Sequence, residues 1–246
     1  MSDRALAERL VRLAGAIALD LRGGAVELKS AATDVVTAAD RRAEAALVEL
    51  LHAERPDDAV LGEEGAEVAG DGRRWLLDPV DGTLNYARGL PAWCAAACLV
   101  DQRGPLACAV FDPVAGELFS AGRGEGAALG GAPLRAPASP ALGDAVVATF
   151  VDVRRRDAAI TAATERLLRR VGALRAAGCG TLELAWVAAG RLDGWVQADV
   201  EPWDWHPGAL LVEESGGTAI VSGRWRAAAC RRRLARELLA CIEGAE

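Results

Sequence analysis

The first apolar pattern along the chain has a helical period. Leu6, Leu10, Leu13, Ile17 and Leu21 recur at spacings of three and four, which predicts an amphipathic helix over 3–22, stopped by Gly23-Gly24. Ala43, Ala46, Leu47 and Leu50 predict a second helix over 38–52. Short apolar runs then predict strands at 59–61, 74–77, 93–100, 106–111, 117–121 and 126–129, separated by Gly- and Pro-containing turns. Strands so closely spaced predict an antiparallel meander. Past the Pro-rich stretch from Pro133 to Pro140 the texture changes. Strands over 146–150, 172–175, 194–197 and 218–221 alternate with helices over 157–170, 180–190, 206–214 and 230–243, a layered α/β pattern. The expected division is an N-terminal α+β part, residues 1–138, and a C-terminal α/β part, residues 139–246.

Composition narrows the class of protein. With 246 residues, 52% of them hydrophobic, the chain can bury a substantial core. A net charge of −7 argues against a nucleic-acid surface, which needs a concentrated basic face; Arg154–Arg156 and Arg231–Arg233 are the only dense basic runs and read as solvated faces. No stretch approaches the roughly 20 apolar residues that span a bilayer, and the N-terminus lacks a secretory h-region, so a cytoplasmic location is expected. The six cysteines form no Cys-x-x-Cys pair and read as small buried hydrophobes. His52 and His206 are the only histidines, too few for zinc or triad chemistry; His52, at a helix end, reads as structural.

The chemistry concentrates in Trp75-Leu-Leu-Asp78-Pro79-Val80-Asp81-Gly82-Thr83. An apolar strand delivers two carboxylates onto a turn stiffened by Pro79, and Gly82 allows close backbone approach at a following helix start. The same letters are also ordinary turn chemistry. Two further acidic signals weigh toward a site: Gly62-Glu63-Glu64 just upstream, and Trp203-Asp204-Trp205 far downstream, where an isolated carboxylate among aromatics needs a cation or donors to compensate it. Hard oxygen ligands beside an anion cradle suggest a divalent cation and a phosphate.

With these segments in this order, and with Val35-Val36-Thr37-Ala38-Ala39-Asp40 near the start, nearly the whole chain resembles the inositol monophosphatase family of metal-dependent, lithium-sensitive phosphatases. The resemblance implies an αβαβα layered sandwich of the inositol monophosphatase/fructose-1,6-bisphosphatase type, two to three Mg2+ ions with Mn2+ also acceptable, a small phosphate ester as substrate and a homodimer. It implies Glu63, Asp78 and the Val80 carbonyl as ligands of a first metal. Asp78, Asp81 and Asp204 would hold a second, and Glu63 a weaker third. Gly82 and Thr83 would offer backbone N–H groups to the phosphate. Thr83, hydrogen-bonded to Asp40 and with Glu63 nearby, would orient and deprotonate the attacking water.

Other positions stay open. Of the 28 lysines and arginines Lys29 is the single lysine, at a point where the family also has one. Glu64 reads either as a support to the metal ligands or as a solvated residue. His206 reads as a packed, hydrogen-bonded side chain or as a substrate contact. Gly178, Gly180 and Gln197 match positions facing the substrate alcohol. Inositol-1-phosphate enzymes carry a glutamate where this chain has Gln197, so recognition of vicinal hydroxyls should differ, and histidinol-phosphate-like or sugar phosphates come into view. The rival readings are a catalytically silent phosphate-binding or regulatory protein of this fold, a 3′-phosphoadenosine nucleotide phosphatase, and a two-carboxylate glycoside hydrolase. The surplus of acids disfavours the last.

Overall fold

The computed structural model describes residues 1–23, 26–31, 34–150 and 157–244, with 26–31 and 34–36 described by backbone alone. Its helices are α1 (Asp3–Asp20), α2 (Ala38–Glu54), α3 (Thr83–Ala87), α4 (Ala158–Arg170), α5 (Gly180–Ala188), α6 (Pro202–Glu214) and α7 (Arg232–Glu243). A small hairpin pairs β1 (Val26–Ala31) with β2 (Asp34–Thr37). The large sheet uses β3 (Ala59–Gly62), β4 (Glu67–Val68), β5 (Arg74–Asp81), β6 (Cys94–Asp101), β7 (Gly104–Asp112), β8 (Glu117–Gly122), β9 (Gly126–Leu129) and β10 (Ala132–Pro133). Its order is β10-β9-β8-β7-β6-β5-β3-β4, antiparallel except where β3 runs beside β5. A second sheet takes β11 (Val146–Ala148), β12 (Ala173–Arg175), β13 (Gly194–Ala198), β14 (Thr218–Ser222) and β15 (Trp225–Ala229) in the order β12-β11-β13-β15-β14.

Alternation along the strands builds five layers. Trp75, Leu77, Ala95, Ala97 and Leu99 face α1 and α2, burying Leu6, Leu10, Leu47 and Leu51. Their neighbours Leu76, Ala96, Cys98 and Val110 face the other way, onto Leu182 and Leu184 of α5 and Leu210 and Leu211 of α6. Trp195 and Ala228 of the second sheet close the opposite side of that helical layer. Val147, Val196, Ala227 and Ala229 turn outward to α4 and α7, where Leu167, Leu234, Leu238 and Ile242 are buried. The result is the expected αβαβα sandwich.

Element boundaries differ from the sequence expectation at four places that bear on function. The first helix stops at Asp20, two residues short, ahead of the β1–β2 hairpin that periodicity did not reveal. β15 was also hidden: Trp-Arg-Ala-Ala-Ala lacks a β-branched residue and alternates weakly. β5 continues through Asp81 where a turn was expected after Leu77. Lastly, α6 begins at Pro202 instead of 206, with proline at the start of the helix where its missing N–H costs nothing. Asp204 therefore stands in a first helical turn, not in a loop.

The helical layer is tight. A Cβ at Gly208 of α6 would come within 2.4 Å of Leu184 Cβ on α5. Gly208→Ala should force the two helices apart and cost about 1–3 kcal/mol, the usual range for an overpacked core. Denaturant unfolding would measure it, and an unchanged midpoint would mean that the layer yields freely.

Candidate active site

The central geometry comes from a break in β5. Asp78 is opposite Ala96 of β6 and Asp81 is opposite Cys94, so three steps on β5 match two on β6. Pro79 has no N–H for the ladder, and one extra residue is accommodated as a bulge. In a regular strand residues three apart face opposite ways. The bulge resets the alternation, which is how Asp78 and Asp81 come to one side. Asp78 Oδ1 accepts the Val80 N–H at 3.0 Å, tying the bulge to the carboxylate it displays.

The third acid arrives from the other half of the sandwich. One carboxylate oxygen from each of Asp78, Asp81 and Asp204 lies within 4.8 Å of the others. Asp204 is positioned by α6, whose first turn is anchored where Thr181 Oγ1 donates to the Asp204 carbonyl at 3.0 Å. Asp81 Oδ2 accepts the Thr181 N–H at 2.7 Å, so the start of α5 is held against the end of β5.

The electrostatics are unfavourable as they stand. Burial and the charges of Glu63, Asp81 and Asp204 push the Asp78 carboxyl well up. Burial, then Asp81 and Glu63, do the same to Asp204. Asp81 is raised by burial, with hydrogen bonds from Thr181 and Cys179 opposing. Asp78 is 1% exposed, and its Oδ2 has no hydrogen-bond partner. A buried carboxylate oxygen left without a donor in a cluster of acids fits a cation, and a divalent ion would reverse each of these shifts. All three donors are hard oxygens, which suits magnesium or manganese.

Asp40 and Thr83 meet beside this cluster. Asp40 is the third residue of α2 and completes a capping box with Thr37: Oδ2 accepts the Thr37 N–H at 2.9 Å and also the Thr37 hydroxyl. Its Oδ1 lies 3.2 Å from Thr83 Oγ1, which is also 2.9 Å from the Val80 carbonyl oxygen. One hydroxyl proton serves one of these acceptors at a time. Burial raises the Asp40 carboxyl in spite of these hydrogen bonds.

Gly82 carries the chain between β5 and α3 with φ at +85°. A Cβ there would meet the Ala92 carbonyl at 3.0 Å and Cys179 Cβ at 3.1 Å, so both conformation and space require glycine. Gly178, Gly180 and Gln197 line a cavity of about 120 Å3 together with Asp81, Asp204 and Phe150. Glu63 follows the end of β3, where its N–H donates to Leu77 O at 3.1 Å, and its charge is felt by both Asp78 and Asp204. Glu64 is half-buried in the same turn. His206 is half-buried as well, in the first half of α6. Burial and the charge of Arg226 lower its pKa. Lys29 lies outside the described side chains.

Several supports of the site were not legible in the sequence. Glu44, buried on α2, accepts the N–H groups of Glu64 at 2.9 Å and Ala66 at 2.8 Å, shaping the loop that presents Glu63. Asn85 Nδ2 donates to Ala92 O and Ala177 O, each at 2.7 Å, and so clasps the Gly82 turn to the Gly178 loop. Glu183 accepts the Ala177 N–H at 2.7 Å from the other side of that loop. Its spacing, three residues beyond Gly180 in the first turn of α5, was the one available signal.

Comparison with known proteins identifies the family of the chain. A model of the inositol monophosphatase family matches residues 3–235. An inositol-1-monophosphatase from Rhizobium meliloti is 40% identical over 78% of this chain and 73% of its own length. The Nus factor SuhB of Escherichia coli is 35% identical over 77% of this chain and 72% of its own. Among solved structures, the extragenic suppressor protein suhB of Bartonella henselae superposes with a TM-score of 0.92 over 98% of both chains at 28% identity. SuhB of Mycobacterium tuberculosis does so with a TM-score of 0.84 at 32% identity, over 99% of this chain and 97% of its own. By the extent of these matches and by its fold, this chain belongs to the inositol monophosphatase family.

Proposed function

We propose that this protein is a magnesium-dependent phosphomonoesterase acting on a small polyol, sugar or amino-alcohol phosphate. The observation that carries the proposal is the meeting of Asp78, Asp81 and Asp204 around a buried carboxylate oxygen without a donor, directly beside the Asp40–Thr83 pair. Asp78, Asp81 and Asp204, with Glu63 and the Val80 carbonyl, would hold the ions. When bound, these supply charge neutralisation for the phosphate oxygens and a lowered pKa for water.

The chain's own residues supply the rest. The turn at Gly82 and Thr83 would offer backbone N–H groups to phosphate oxygens. Thr83 Oγ1 orients a water, and Asp40, its carboxyl raised by burial, receives a proton through that hydroxyl. Glu63 assists from the end of β3. Asp78 and Asp81 are poor nucleophiles in this reading because their lone pairs are committed to ions. Gly178 and Gly180 leave room for the alcohol, which Gln197 reads with an amide. The reading includes a division of labour at 138/139, with Asp204 and the alcohol pocket contributed by the second part, and a homodimeric, cytoplasmic enzyme. No helix among the described residues is long and apolar enough to cross a membrane.

The experiment is phosphate release from a panel of phosphomonoesters with and without magnesium. The panel holds inositol-1-phosphate, histidinol phosphate, 3′-phosphoadenosine 5′-phosphate, fructose bisphosphate and aminocyclitol phosphates. Magnesium-dependent release from one compound far above the others is expected. Binding of magnesium with release from none would favour the second reading, a phosphate-binding or regulatory protein, which relatives named Nus factor keep in view. Gln197→Glu should shift the ranking toward vicinal diols by about tenfold while the magnesium requirement stays; an unchanged ranking would mean that position 197 does not read the alcohol.

A further inference from the structure

The same turn that presents Asp81 to the hard-metal cluster places two thiols on its other side. Cys179 Sγ lies 3.2 Å from Asp81 Oδ2, 3.3 Å from the Asp81 carbonyl oxygen and 3.6 Å from Cys94 Sγ. One ligand atom from each of Asp81, Cys94 and Cys179 falls within 4.8 Å of the others. A tetrahedral zinc ion with Zn–S of about 2.3 Å and Zn–O of about 2.0 Å separates two sulfurs by about 3.8 Å and a sulfur from an oxygen by about 3.5 Å. The two edges from Cys179, to Cys94 Sγ and to Asp81 Oδ2, are within a few tenths of an ångström of these values, and the Cys94–Asp81 edge lies within 4.8 Å. The cysteines are held there by unrelated elements, Cys94 at the start of β6 and Cys179 at the cap of α5, so the arrangement is tertiary and not a local motif.

We propose that Asp81, Cys94 and Cys179 form a buried site for a thiophilic divalent cation of the zinc class, and that its occupation antagonises hard-metal binding through the shared Asp81. Both cysteines are free and almost fully buried. Asp81 also lines the cavity of about 120 Å3, and Gly178 and Gly180, the chain neighbours of Cys179, line it too. Ligation displaces both thiol protons to solvent and leaves a fourth position for water or the Asp81 carbonyl. Two dications on one carboxylate repel each other, so the soft ion weakens the hard one. That second half of the proposal rests on the magnesium site argued above; the thiol site itself does not.

Cadmium tests the two halves separately. The metal-free protein, reduced and freed of chelator, would be titrated with Cd2+ while the ultraviolet thiolate-to-cadmium charge-transfer band is followed. A saturable band of one equivalent is expected. Even outer-shell partners cost 10–100-fold in affinity, so Cys94→Ala or Cys179→Ala should weaken binding by about 100-fold or more. Cys98→Ala, a core cysteine outside the cluster, should bind as the unaltered protein does and controls for general loss of packing. No band, or a band that survives both Cys94→Ala and Cys179→Ala in folded protein, would overturn the site. Magnesium at ten times its own Kd should raise the cadmium midpoint about tenfold. A band that ignores magnesium, in protein shown by melting to bind it, would overturn the antagonism alone.

Discussion

Asp204→Asn should reduce magnesium-dependent phosphate release by about 1,000-fold or more while leaving the fold intact. A thousandfold is about 4 kcal/mol of lost barrier reduction, the scale expected when a cation loses one of few anionic ligands. The substitution is nearly isosteric and leaves the backbone contact from Thr181 in place. It also removes one of the charges that push Asp78 upward. The metal-free variant should therefore melt higher than the unaltered protein near neutral pH, whereas magnesium should stabilise the unaltered protein and barely move the variant. Calorimetric melts with and without magnesium, read beside turnover, separate these effects. Near-normal turnover in the variant would show that Asp204 does not hold the ion.

Glu183→Gln should give the largest change in stability, and only at high pH. Burial raises the Glu183 carboxyl from 4.5 to about 8, with the Ala177 N–H opposing. Between those values the folded protein holds a proton that the unfolded chain has lost, so stability falls as pH rises from about 4.5 to about 8 and the loss is complete above that. Full ionisation of such a group costs about 4–5 kcal/mol if the site does not rearrange. A glutamine shares the uncharged state of the protonated acid: its oxygen still accepts the Ala177 N–H, and its amide nitrogen takes the place of Oε2, which has no hydrogen-bond partner. Urea unfolding of chelator-treated protein at pH 5 and pH 8.5 provides the comparison. The variant should match the unaltered protein at the lower pH and exceed it at the higher by several kcal/mol. An equal difference at both would show that Glu183 ionises as an ordinary carboxylate.

Much of this site can be read without coordinates, because its chemistry is carried by short segments with demanding residue types. Asp78-Pro79-Val80-Asp81-Gly82-Thr83 is ordinary turn chemistry when taken alone, and reads as metal and anion chemistry together with Gly62-Glu63-Glu64 and Trp203-Asp204, which add acids where a fold would not need them. The helices that cover the large sheet are legible for a different reason. One apolar face repeated every three to four residues is a local signal, and α1 and α2 carry it clearly. What failed locally was the hairpin at 26–37, the strand at 225–229 and the start of α6. There the pattern is short or poor in β-branched residues, and partner strands or caps decide the outcome.

The sequence by itself determined the covering helices, most of the strands and where the acidic segments stand, since periodicity and residue chemistry are properties of neighbouring positions; the αβαβα order and the ion came with the family resemblance. Only the tertiary structure decided how the acids converge. The bulge in β5 turns Asp78 and Asp81 to one side, and the α5–α6 layer brings Asp204 across about 120 residues of chain to meet them. Glu44, Asn85 and Glu183 could be recognised as supports only there, and so could the thiols beside Asp81, because each acts through a partner remote in sequence. Hydrogen bonds and ion coordination act over a few ångströms in space, and the packing of the two sheets against one helical layer is what converts distant positions into neighbours.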